Sequence, residues 1–88
     1  QGEFRIAYHR LAGGRADGSS YTSRGIRYLI ELSNDLQAWA PAGARAVPIG
    51  SPLGVGGGIE EAFYRIDPPA GQSLTRQFVR IRLEPDGP

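Results

Sequence analysis

The sequence contains no cysteine, no methionine and no lysine, and a single histidine. Without cysteine the chain forms no disulfide and offers no thiolate to a metal, so cysteine usage says nothing about its redox compartment. Without lysine there is no amine for a Schiff base or an isopeptide cross-link; all ten basic residues are arginine. No apolar run is long enough to span a bilayer, which argues against membrane insertion. The formal net charge of +1 gives no field that would select nucleic acid or an anionic membrane as a partner. The chain starts at Gln1 without an initiator methionine, which reads as a processed end or an excised piece.

What is present is a folding composition. Of 88 residues, 40% are hydrophobic, and the charges are mixed in sign. The length suits one domain, residues 1–88, which at this size buries only about 60% of the surface its unfolded chain exposes. Cohesion must therefore come from sheet packing or from assembly.

Apolar residues recur with a period of two, the signature of half-buried strands. Residues 3–11 alternate with Phe4, Ile6 and Tyr8 on one face and Glu3, Arg5 and His9 on the other. In residues 26–33, Ile26, Tyr28, Ile30 and Leu32 face inward against Arg27, Leu29 and Glu31. Residues 59–67 set Ala62, Tyr64 and Ile66 against Glu61, Phe63 and Arg65, and residues 74–84 set Val79, Ile81 and Leu83 against Arg76, Phe78, Arg80 and Arg82. A shorter strand is expected over residues 44–49. Ser33-Asn34-Asp35 predicts a turn or a single helical turn up to Trp39. Residues 12–25 read as a long loop with an edge segment near Tyr21, and residues 50–58, with five glycines and a proline, as a flexible connection. No segment carries helical spacing. The expectation is an all-β fold, a small antiparallel β-sandwich with long Gly/Pro-rich loops.

Three stretches carry a family resemblance: residues 28–39 from Tyr28 to Trp39, residues 77–83 from Gln77 to Leu83, and the opening strand from Phe4 to Arg10. Together they resemble the C-terminal fibronectin type III-like, immunoglobulin-like β-sandwich modules of large secreted or surface bacterial proteins. The resemblance implies a non-catalytic spacer, adhesion or assembly role outside the cytoplasm, with no active site to carry over.

Tests for chemistry point the same way. His9 has no nucleophile to serve and falls on an outward face. Glu60 and Glu61, as neighbours on a strand, point to opposite faces and cannot act as an acid and nucleophile pair. Glycines 54–58 lack the Lys-Ser/Thr ending and the helix of a phosphate loop. Asp17 and Asp35 are the residues a calcium ion would find, with no alternating acidic loop around them. We therefore expect no enzyme, cofactor or metal. The outward arginines, Arg5, Arg27, Arg76, Arg80 and Arg82, alternate with Glu3, Glu31 and Glu61, which suits cross-strand ion pairing.

Two sets of residues are candidates for contact. Leu29, Phe63 and Phe78 fall opposite the main apolar set, where they form either an interface or a second inner surface. Trp39 either caps the core or stacks on a sugar ring, and Tyr21 is a second candidate for glycan stacking. The reading is a secreted or cell-surface adhesion or structural module that contacts a neighbouring domain or copies of itself. Strand edges would supply self-assembly, with the segment before Ile6 and residues 12–25 as candidate donors. The alternative is a carbohydrate-binding module using Trp39 and Tyr21.

Overall fold

The computed structural model describes residues 4–69, 71 and 76–86, and these form two antiparallel sheets. The first holds β1 (Phe4–Leu11), β6 (Ala46–Pro48), β7 (Leu53–Gly56) and β8 (Ile59–Ile66). The second holds β2 (Arg15–Asp17), β3 (Ser20–Ser23), β4 (Ile26–Ser33), β5 (Ala40–Pro41) and β9 (Phe78–Pro85). In the first sheet β8 is central: β1 pairs along its whole length, so β6 and β7 share its other side. In the second, β4 is central: β9 takes one whole side, β3 and β5 share the other, and β2 lies beyond β3.

The alternation that defines the long strands also builds the core. Ile30 and Leu32 from β4 pack with Ala62, Tyr64 and Ile66 from β8, together with Ala42 and Ala46. Phe4, Ile6, Tyr8, Val79 and Ile81 close the sides of this cluster and are only half-buried. The sheets are tied again at one end by Arg45, which donates to the Asp67 carbonyl (2.7 Å) and to Gln77 (2.6 Å), while Gln77 donates to the Ser33 carbonyl.

The connections are more ordered than their composition suggests. Residues 12–25 hold the hairpin of β2 and β3, and Arg24-Gly25 turns β3 into β4 with φ of 53° and 80°. Residues 50–58 are likewise not a flexible connection: β7 pairs with β8 across Gly57-Gly58, at φ 65° and 77°. Both are two-residue hairpin turns with left-handed residues, whose twist matches the strands they join. Glycine supplies that conformation without strain, so it marks a tight turn here instead of a linker.

The single helical turn after Ser33 does not form. Ser33 Oγ accepts from the Asp35 and Leu36 amides, and Asp35 Oδ1 accepts from the Gln37 and Ala38 amides. These side-chain acceptors replace the carbonyls that a helix would use, and they hold Leu36 at φ 66°. The same amides hold the Asp35 carboxyl below the usual carboxylate range. Where a strand is expected from residue 44, a 3-10 turn over Gly43–Arg45 leads into the shorter β6.

Among the described glycines, Gly14 is the most tightly enclosed. A Cβ there would press on the Thr22 carbonyl oxygen and lie 2.7 Å from Ser23 Cβ, whereas a Cβ at Gly54 would meet nothing within 4 Å. Gly14→Ala should lower the unfolding free energy by about 1–3 kcal/mol in urea titrations, and Gly54→Ala should stay within about 0.5 kcal/mol of the parent.

Candidate functional site

Arg10 lies at the centre of an extended polar and aromatic cluster in the interior, with bonds to Glu60, Tyr8 and Tyr64 and a ring contact with Tyr21. It follows Phe4, Ile6 and Tyr8 at the same spacing of two, so the pleat carries it inward, where it is 7% exposed. Its register partner on β8 is Glu60, and Nε donates to Glu60 Oε2 at 2.7 Å. One terminal nitrogen donates to the hydroxyls of Tyr64 (3.1 Å) and Tyr8 (3.5 Å), and the guanidinium lies 3.6 Å from the Tyr21 ring centroid. Tyr8 stacks with Tyr64 and tilts against Tyr28, which in turn meets Tyr21, all at about 6 Å between centroids. All four tyrosines of the chain thus gather around one buried cation.

Their hydroxyls also finish the backbone. Tyr28 accepts from the Leu11 amide, and Tyr21 donates to the Leu11 carbonyl while accepting from the Gly14 amide. The end of β1 is thereby bound to the second sheet as well as to β8. Burial works against the charge on Arg10, but its bonds to Tyr8, Glu60 and Tyr64 outweigh that and hold it well above its ordinary range. Burial pushes the Tyr8 hydroxyl up to about 12.

The outer face of the second sheet carries charge. Glu31, expected outward, does point that way, but its side chain is only 7% exposed because Arg80 (2.7 Å) and Arg82 (3.0 Å) close over it. Burial opposes its ionisation, yet the two arginines prevail and keep the carboxyl below the usual range. The row continues from Arg82 to Glu84, from Glu84 to Arg27 and from Arg27 to Asp86. Cross-strand pairing thus accounts for Arg27, Arg80 and Arg82, while Arg5 lies on the other sheet and Glu3 lies outside the described residues. Beside the row, a shallow hollow of about 530 Å³ is lined by Arg15, Asp17, Ser20, Thr22, Arg27, Leu29 and Asp86.

The structure separates the expected contact residues. Leu29 and Phe78 share the outer face of the second sheet, but Glu31 and its arginines lie between their register positions. Phe63 lies on the outer face of the first sheet, across the core, so the three make neither one patch nor a second inner surface. Around Phe63 the register places Val47, Ile49 and Leu53 on the same face, with Leu53 58% exposed.

Tyr21 is 3% exposed and presents no ring face to a sugar. Trp39 is half-buried outside the central core, with the Arg80 guanidinium 4.4 Å from its ring centroid. The two do not form a joint platform. Leu83, expected inward, is 56% exposed, since nothing among the described residues covers its part of β9.

His9 is exposed, with Nε2 4.0 Å from Glu61. Among the described residues no cluster of three or more His, Asp or Glu side chains is placed to hold a metal, and no helix is long and apolar enough to cross a membrane. Arg10, Leu53 and Leu83 are the residues that sequence reasoning missed. Arg10 had a signal, its parity with Tyr8; Leu83 had none, because exposure at a sheet edge depends on which strands lie beside it.

No family model matches the chain, and neither does any curated protein or solved structure.

Tyr8 supplies a pH test. Its neutral form is favoured in the fold, so its contribution is fully present below pH 10 and is lost as pH rises through about 12. Urea midpoints should fall across that window, and should fall less in Tyr8→Phe; equal slopes in the two proteins would contradict the placement of Tyr8.

Proposed function

We propose that the chain is a non-catalytic β-sandwich module, secreted or displayed at the cell surface, that acts by holding other protein surfaces. The observation that carries this reading is the state of its outer strands and faces. Among the described residues β1 pairs only with β8 and β9 only with β4, so two eight-residue strands each present an edge. Apolar side chains stand exposed as well, Leu83 on β9 and Leu53 on β7 at the opposite border of the first sheet, both more than half accessible. A small domain that leaves edges and apolar surface open has them available for partners.

The charged groups support a structural role. The inner cation is spent on Glu60 and the tyrosines, and the row on the second sheet is spent on itself, so these charges hold strands together. The likeness of residues 28–39 and 77–83 to fibronectin type III-like modules supports an extracellular location and an adhesion or assembly role.

A photo-cross-linking side chain placed at Leu53, in cells that make the protein, tests the reading. Specific adducts of protein mass are expected from position 53, and none from a control probe at the hairpin tip, Gly18. Adducts at position 53 no more frequent than at the control would overturn it.

A further inference from the structure

The two long open edges, β1 and β9, are not equivalent. On β1 the Leu11 amide and carbonyl are already taken by Tyr28 and Tyr21, so tyrosine hydroxyls close that edge at its end. On β9 nothing comparable is found among the described residues. The Asp86 amide donates to the Gly25 carbonyl at 2.8 Å, on the β4 side. In an antiparallel ladder the amide and carbonyl of one residue point the same way and alternate along the strand. Glu84, Arg82 and Arg80 therefore bond β4, while Val79, Ile81, Leu83 and Pro85 turn their backbone groups to the open side. Pro85 has no N–H to give there.

We propose that β9 pairs antiparallel with β9 of a second copy of this chain, with Leu83 on the two-fold axis, joining the two five-stranded sheets into one. This rests on the contact-module reading and names its partner. In that register the Leu83 amides and carbonyls of the two copies bond each other, and each Ile81 amide meets the Pro85 carbonyl of the other copy. Pro85 has no N–H to return, so the Ile81 carbonyl of each pair stays open to solvent at the two ends of the ladder. The two half-exposed leucines lie side by side and cover one another.

Charge selects the same register. With Leu83 opposite itself, Arg82 stands across from Glu84 of the second copy and Arg80 across from Asp86, each twice by symmetry. Centring the pair on Ile81 would set Arg80 against Arg82 twice, and centring it on Arg82 would set that arginine against itself, both unfavourable across a strand pair. The complementary register is also the one that buries the exposed apolar side chain.

The test uses the purified chain alone. Sedimentation equilibrium should show the mass rise from one chain to two with concentration, and amide exchange should slow at Ile81 and Leu83 over the same range. Leu83→Lys, at an exposed position, should keep the strand signature in circular dichroism and weaken association at least tenfold. A chain monomeric to millimolar concentration, or a dimer that leaves the Ile81 and Leu83 amides exchanging as fast as in the monomer, overturns the proposal. A monomeric chain that still cross-links to another protein from position 53 would leave the contact-module reading standing.

Discussion

An arginine held inside a ring of tyrosines is the contact on which the rest of this structure depends. A charge that is 7% exposed is costly to bury unless its donors are satisfied, and Arg10 meets that condition with Glu60, two hydroxyls and the face of Tyr21. Because β1 and β8 supply the pair while β3 and β4 supply Tyr21 and Tyr28, one cluster fixes both the register of the first sheet and its seat on the second. In a chain with no disulfide and a small core, such a directional device fixes the arrangement where apolar area alone would not.

The same cluster determines which edge is left. The hydroxyls of Tyr21 and Tyr28 complete the backbone at the end of β1, whereas β9 keeps alternate amides, two arginines followed by the carboxylates of Glu84 and, just past its end, Asp86, and an exposed leucine. The molecule is therefore asymmetric: the outer face of the second sheet carries a continuous row of ion pairs, that of the first sets Phe63, Val47, Ile49 and Leu53 beside the Arg65–Asp67 pair and the His9–Glu61 contact, and one terminal strand is less finished than the other. That asymmetry supports the protein-contact role proposed above.

Much of the fold was legible because period two is a strong signal. The four long strands and their inward faces follow from it, apart from Leu83 and from the start of the last strand, expected at residue 74 and found at Phe78, with residues 74 and 75 outside the described residues. What it missed follows from pairing. Arg10 and Glu60 share inward parity with Tyr8 and Ala62, but an arginine is assigned to solvent unless its cross-strand partner is known. Glycines 57 and 58 look like a linker until β7 is seen to pair with β8, when they become a tight turn. Leu29, Phe63 and Phe78 look alike as outward residues of single strands, and only the assignment of strands to sheets reveals that they lie on opposite sides of the molecule.

The central claim is tested most directly by taking Arg10 and Glu60 out separately and together in urea unfolding. Arg10→Met alone should cost about 3–5 kcal/mol, since it strands Glu60 and leaves the tyrosine hydroxyls short of a donor. Arg10→Met with Glu60→Leu should recover most of that loss, because no unpaired charge remains. A single Arg10→Met variant within about 0.5 kcal/mol of the parent, the range of an ordinary surface change, would contradict the account.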